Sequence, residues 1–286
     1  MNIGEVFTKA ENEGYAIGAF NAGDFVMVRA IIQASQALSS PVIIESSPGE
    51  TQFIGSQNLV DIVENYRLAT CLPIFLNLDH SVSLTAIEEG LKSGYDLVHF
   101  DGSSLPPEEN IAKTLDVVAW AHLQGVLVEA EIDKITGESR PHREAAESFQ
   151  AAGVYTDPEK AARFIKEAQA DILAVFIGNV HGVYKNPIKL DLERLKLIRQ
   201  KVSAFFSLHG GSGIPEEEIK KAIKIGKIVK INVSTELRVA YRQALEKSLS
   251  EGEEVASYKI MEPVVEAVQK VVEEKIKLFG SAGKAG

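Results

Sequence analysis

Short apolar runs alternate with amphipathic stretches along most of the chain. The runs lie at about Ala16 to Phe20, Val42 to Glu45, Ile74 to Leu78, Leu97 to Phe100, Val126 to Ile132, Ile172 to Ile177, Phe205 to Leu208 and Ile228 to Val233. Nearly continuous apolar segments of this length read as parallel strands buried on both faces. Between them the period lengthens. Leu59, Ile62, Val63 and Tyr66 fall at i, i+3, i+4 and i+7 and share one helix face. Thr156-Asp-Pro-Glu159 has the marks of a helix start: capping side chains, a proline suited to the first turn and an acid favoured by the dipole. Ala161, Phe164, Ile165 and Ala168 line the face that follows. Eight strand-then-helix units in succession predict an α/β fold, a single (β/α)8 TIM barrel over residues 1–279.

Two stretches break the pattern. From about Asp133 to Tyr155 the chain is polar and dotted with Arg and Glu. A structureless loop of roughly 20 residues is unusual inside a compact domain, and a lid over an active site is its commonest justification. The last residues, Gly280-Ser-Ala-Gly-Lys-Ala-Gly286, are small and polar, which predicts a flexible C-terminal tail over 280–286.

Composition narrows the class. The 286 residues are 45% hydrophobic, enough for a sizeable core, yet no uncharged apolar stretch reaches the roughly 18 residues of a membrane span. The amino terminus has no secretory pattern, so a cytoplasmic location is expected. A net charge of −10 excludes an extended basic surface for nucleic acid. The lone Cys71 provides neither an internal disulfide nor a thiolate cluster, so any metal must be held by His and carboxylates.

In such a barrel the side chains after each strand converge on one mouth. Asn21 follows the first strand, Ser46 and Ser47 the second, Asp79 and His80 the third, and Asp101 the fourth. Glu129 and Glu131 lie two apart on the fifth and point the same way. His181 follows the sixth and His209 the seventh. His80, His181 and His209 thus fall at the same end of three strands, and three imidazoles with an open position are a common catalytic zinc set. The other histidines read differently: His122 lies in a helix, His142 in the long loop and His99 inside the fourth strand, all as structural or solvated groups.

A second constellation suits phosphate. Gly210-Gly-Ser-Gly213 leads into a helix opened by Pro215 and Glu216, and Asn232-Val-Ser-Thr235 ends the eighth strand. Glycines let backbone N–H groups approach an anion, a helix amino terminus adds positive potential, and loops after strands seven and eight recur as phosphate sites on this fold.

Taken together, Asn77-Leu-Asp-His-Ser81, Asp101-Gly-Ser103, Val128-Glu-Ala-Glu131, Ile177-Gly-Asn-Val-His-Gly-Val-Tyr184, Leu208-His-Gly-Gly-Ser-Gly213 and Lys230-Ile-Asn-Val-Ser-Thr235 resemble the class II, metal-dependent ketose-bisphosphate aldolases. The match runs from Gly18-Ala-Phe-Asn21 to about Arg242, in the family's order. The resemblance implies zinc, or another divalent ion, on His80, His181 and His209, with Asp79 as the catalytic acid. Glu131 and Asp101 match second-site or outer-shell acids. Substrate-binding residues fall on Asn21, Ser47, Gly182, Lys185, Gly210, Gly211, Ser212, Asn232, Val233, Ser234 and Thr235, with a monovalent cation beside the phosphate as a further candidate. Glu138 is the candidate lid carboxylate.

The implied reaction is cleavage of a ketose 1,6-bisphosphate, fructose or its epimer tagatose, to dihydroxyacetone phosphate and glyceraldehyde 3-phosphate, by a homodimer or homotetramer. Some positions depart from the family. Glu45 stands where it often has Gln, Asn179 and Val180 where it often has Thr-Ala, and the strand-five exit is poorer in glycine. Ser234 fits neither the acid or amide of fructose enzymes nor the alanine of tagatose enzymes. Rival readings are a metal-dependent hydrolase, a Schiff-base aldolase using Lys230, and a non-catalytic sugar-phosphate sensor.

Overall fold

The computed structural model describes residues 1–286. The eight apolar runs form strands β1 (Ile17–Asn21), β2 (Val42–Ser46), β3 (Ile74–Ser81), β4 (Leu97–Phe100), β5 (Leu127–Glu131), β7 (Ile172–Ala174), β9 (Phe205–Leu208) and β10 (Ile228–Val233). They close into a barrel in the ring order β1-β10-β9-β7-β5-β4-β3-β2. Every pairing is parallel, and the ring is sealed where Ile17 to Phe20 run beside Lys230 to Val233. The sixth predicted strand stops at Ala174, three residues early, and Val175 to Ile177 turn into the loop that carries His181.

Helix α1 (Ile3–Glu13) precedes the barrel and plugs its amino-terminal end. An Asn2/Glu5 capping box starts it. Its buried Ile3, Val6, Phe7 and Ala10 pack against Ile17, Ile43, Phe75 and Leu97 from the strands. The remaining helices are α2 (Phe25–Leu38), α3 (Pro48–Ile54), α4 (Ser56–Thr70), α5 (Leu84–Ser93), α6 (Pro107–His122), α7 (Ala146–Ala152), α8 (Pro158–Ala168), α9 (Leu192–Lys201), α10 (Glu216–Gly226), α11 (Thr235–Glu251) and α12 (Ser257–Phe279). The α8 start matches its sequence signature, with Asp157 accepting from the N–H groups of Glu159 and Lys160. No helix is long and apolar enough to cross a membrane.

Two expectations need correction. The stretch from Asp133 to Tyr155 is not structureless. It contains α7 and a polar strand, β6 (Gly137–Pro141), which pairs in parallel with β8 (His181–Val183) as a separate small sheet. Within it the His142 ring stacks on Tyr184, 4.6 Å between centroids, and packs against Phe149. The tail is not free either. Gly283 N–H donates to Leu38 O (2.8 Å), Ala285 N–H to Ser39 O (3.0 Å), and buried Ser281 meets Ser40 Oγ (2.9 Å). Ser39 ends α2 in a left-handed turn, and the tail's small residues let its backbone reach the carbonyls exposed there.

Candidate active site

Adjacent residues on a regular strand point to opposite faces, yet Asp79 and His80 both face the mouth. The β3–β4 pairing shifts register between Leu78 and Ser81, and His80 takes a left-handed conformation (φ 48°) inside that irregularity. A bulge of this kind re-aims side chains at a barrel rim, and the strain it holds belongs at a functional site.

Around this bulge the imidazoles gather. The His80 ring centroid lies 5.1 Å from that of His181 and 4.6 Å from that of His209, and the latter two are 6.2 Å apart. His80 Nε2 and His209 Nδ1 are buried without a hydrogen-bond partner. Their other nitrogens are held by carboxylates: His80 Nδ1 is 3.1 Å from Asp101 Oδ2, and His209 Nε2 is 2.7 Å from Glu129 Oε1. A free inward nitrogen backed by a carboxylate on the opposite one is the arrangement of a metal-ligating histidine. No protein group binds either ring nitrogen of His181, so its lone pair is also available.

His99 lies within β4 as the sequence predicts, but its ring enters the site. It is fully buried inside the site, its ring 4.6 Å from His80 and 4.9 Å from His209. Asp79, His80, His99 and His209 bring ligand atoms within 4.8 Å of one another, and His80, Asp101 and Glu131 form a second such group. His99 Nδ1 nevertheless accepts from the His80 N–H at 3.2 Å, closer than Asp79 Oδ1 at 3.7 Å. That leaves its Nε2–H facing Glu131 Oε2 at 3.6 Å. His99 Nδ1 is thus engaged by the backbone, whereas His181, which lies outside both groups, has neither ring nitrogen bound by the protein. The register was the missed signal, since His99 runs beside Glu129 across β4 and β5.

Electrostatics support a cation here. Burial, with His80 and His209 nearby, holds His181 well below its ordinary value, and burial holds His209 down to about 3 despite Glu129, so both are neutral, as ligands must be. Burial opposes charge on His80 as well, but Asp79, Asp101 and Glu131 push it up to about 10. Burial pushes Glu131 up to about 7, while His80 and His99 pull the other way. Carboxylates crowded round one imidazole call for a positive charge at that point, by proton or by metal ion. The donor set fits a divalent ion.

Beneath the mouth the barrel interior is polar where such interiors are usually aliphatic. Buried Lys230 Nζ lies 2.7 Å from Glu45 Oε1 and 2.8 Å from Glu129 Oε2, and donates to Asn232 Oδ1 at 2.8 Å. Burial disfavours its charge, but Glu129, Glu45 and Asp79 keep it protonated. A protonated amine with three partners is no nucleophile, which weighs against the Schiff-base reading. Asn232 Nδ2 then reaches Asp79 Oδ1 at 3.2 Å, and Asn21 Nδ2 reaches Asp79 Oδ2 at 3.2 Å. Burial would raise the Asp79 carboxyl, but His80, His99, His209 and Lys230 hold it well below the usual range.

The cleft of about 270 Å³ above these groups is lined by Gly182, Gly210, Ser212, Asn232, Ser234 and Thr235 on its β9–β10 side, and by Asn21 and Ser47 on its β1–β2 side. Helix α11 begins there without a side-chain cap, and Ser234 Oγ is buried and partnerless. Gly210 (φ 65°) passes so close to Val180 O that a Cβ would lie 2.4 Å from it. Four expected groups fall elsewhere. The Gly211 N–H is taken by Asn232 O (2.8 Å), and Val233 points into the core. Lys185 is exposed, lies two residues past the end of β8, and does not line the cleft. The Glu138 side chain is 71% exposed and pairs with Arg140, since β6 alternates it away from the mouth that Gly137 and Ser139 face. Arg238 and Lys134 line the cleft instead, and neither stood out in the sequence.

A family model described as "Fructose-bisphosphate aldolase class-II" matches residues 1–284. The chain belongs to the class-II fructose-bisphosphate aldolase family. It is 38% identical to the fructose-bisphosphate aldolase of Streptococcus pyogenes serotype M1, over 98% of each chain. It is 34% identical to the 6-phospho-5-dehydro-2-deoxy-D-gluconate aldolase of Halalkalibacterium halodurans, over 100% of this chain and 98% of that one. The crystal structure of the YdjI aldolase from Escherichia coli K12 superimposes with a TM-score of 0.85 at 32% identity, over 100% of this chain and 99% of that chain. Relatives with different substrates thus share this barrel end to end. As a member of an aldolase family the protein is a lyase, and the family is metal-dependent and acts on phosphorylated sugars.

Proposed function

We propose that the site catalyses reversible aldol cleavage of a phosphorylated 2-ketose, with a divalent ion, zinc first, held by His80, His181 and His209. Asp101 and Glu131 stand behind His80 as outer groups or a second position. The ion supplies Lewis acidity for the negative charge that develops when the bond between C3 and C4 breaks. Asp79 takes the C4 hydroxyl proton in cleavage and returns it in condensation. It is suited to this because Asn21 and Asn232 each donate to one of its oxygens, fixing an ionised carboxylate beside the imidazoles. The N–H groups around Gly210 and the α11 amino terminus, with Ser212 and Ser234, bind the phosphate of the dihydroxyacetone half, with room for a monovalent cation beside it.

The observation that carries this reading is the pair of buried, partnerless nitrogens on His80 and His209 beside Asp79. Fructose 1,6-bisphosphate, cleaved to dihydroxyacetone phosphate and glyceraldehyde 3-phosphate as in glycolysis, is the first substrate to test, with the tagatose epimer second. A cytoplasmic homodimer or homotetramer is the assembly that accompanies it. A coupled cleavage assay on both epimers and on fructose 1-phosphate, with and without a chelator, tests the reading: turnover of at least one of them must appear and must vanish on chelation. Turnover that survives full metal removal sinks it. The far half of the substrate is a separate matter, because Glu50 occupies the donors there.

A further inference from the structure

Glu50 is the third residue of α3, and its place is set by a capping box with Ser47. Its Oε2 accepts from Ser47 N–H (2.9 Å), Ser47 Oγ (2.8 Å) and Asn21 Nδ2 (3.2 Å), and its Oε1 lies 2.7 Å from an Arg238 guanidinium nitrogen. The side chain is only 11% exposed. Asn21, Ser47 and Arg238 are the donors on the β1–β2 side of the cleft, opposite the cradle for the first phosphate. One internal carboxylate therefore contacts all three of the donor side chains that a second phosphate would meet on that side.

From this we infer that the chain acts on ketose 1-phosphates whose far end is uncharged and hydroxyl-bearing, with Glu50 as the residue that sets this preference. The inference rests on the aldolase reading above. A phosphate dianion at the far end must either expel Glu50 from its capping box or lie beside a like charge already matched one-to-one with Arg238. Specificity built on such repulsion needs no special contact with the favoured ligand. A hydroxyl meets no such barrier: it can donate to Glu50 and accept from the remaining Arg238 N–H groups. Lys134 is the other cation at the mouth, but it leaves from β5, which stands diametrically across the ring from β1.

The test is condensation of dihydroxyacetone phosphate with D-glyceraldehyde or with D-glyceraldehyde 3-phosphate by the zinc-loaded enzyme, two acceptors that differ only in the phosphate. Wild type should favour the neutral aldehyde by at least ~10-fold in kcat/KM, within the range that one charge or hydrogen-bond mismatch commands. Glu50→Gln keeps the cap, since Gln also serves at that position, and should move the ratio at least ~10-fold towards the phosphorylated aldehyde, chiefly by lowering its KM. A wild-type preference for glyceraldehyde 3-phosphate, or an unmoved ratio in Glu50→Gln, overturns the inference. Exchange of the C3 proton of dihydroxyacetone phosphate into deuterium oxide reports the aldolase reading alone. Exchange with the wrong aldehyde preference removes only the inference, and no exchange in the zinc-loaded protein removes both.

Discussion

Lys230 Nζ donates to Asn232 Oδ1 at 2.8 Å, and that contact decides which end of the Asn232 amide faces Asp79. Ammonium is a donor only, so the amide oxygen must turn towards it and the NH2 towards Glu45 and Asp79. Lys230 also holds two buried acids, and Lys230→Met would leave Glu45 and Glu129 without their counter-charge. That should cost about 3–5 kcal/mol, the usual penalty for breaking a buried pair. Urea unfolding with metal bound measures it, and an unmoved midpoint would show the network to be dispensable.

Asp79 sits beside the imidazoles without being one of the three proposed ligands. Asp79→Ala should therefore keep its metal, by elemental analysis, and lose at least ~100-fold in turnover, the lower range for a positioned acid or base. Near-normal turnover in a metal-replete variant removes Asp79 from its role.

Glu129 touches His209 and not the proposed ion. Glu129→Gln should weaken metal affinity by about 10–100-fold through loss of the carboxylate behind His209, whereas His209→Ala should abolish binding altogether. Competition against a chromophoric chelator separates the two. Equal affinity in wild type and Glu129→Gln would mean that His209 needs no such support.

Glu45 ties stability to pH. Burial and nearby Asp79 push its carboxyl up from 4.5 to about 7 against the pull of Lys230. Between those values the folded state holds a proton that the unfolded chain has released. The stability this contributes is complete below about pH 4.5 and is lost as pH rises through about 7. Glu45→Gln removes the dependence, so its unfolding midpoint should improve relative to wild type from about pH 5 to about pH 8. A difference that stays flat over that window rules the mechanism out.

The barrel was legible because strands buried on both faces are written as nearly continuous apolar runs, such as Ile74 to Leu78 with its single Asn77. Asp79, His80, His181 and His209 were legible because each follows such a run. What escaped was encoded in pairing. β6 reads Gly-Glu-Ser-Arg-Pro and gains strand geometry only from β8, which no local period announces. His99 looked structural because it lies within a strand, and only its register beside Glu129 brings it into the site. Glu50 and Arg238 sit in the first turns of α3 and α11, where charged residues are ordinary, and only the closed ring sets one against the other.

That ring also imposes a timetable on synthesis. β1 is made before the other seven strands of the ring, yet Ile17 to Phe20 find their neighbours at Lys230 to Val233, more than two hundred residues later. Until then its N–H and C=O groups form an open edge of the sort that recruits stray strands. Over the same interval α1 has only part of the floor it packs on, because Val229 of β10 belongs to the same apolar cluster as Phe7.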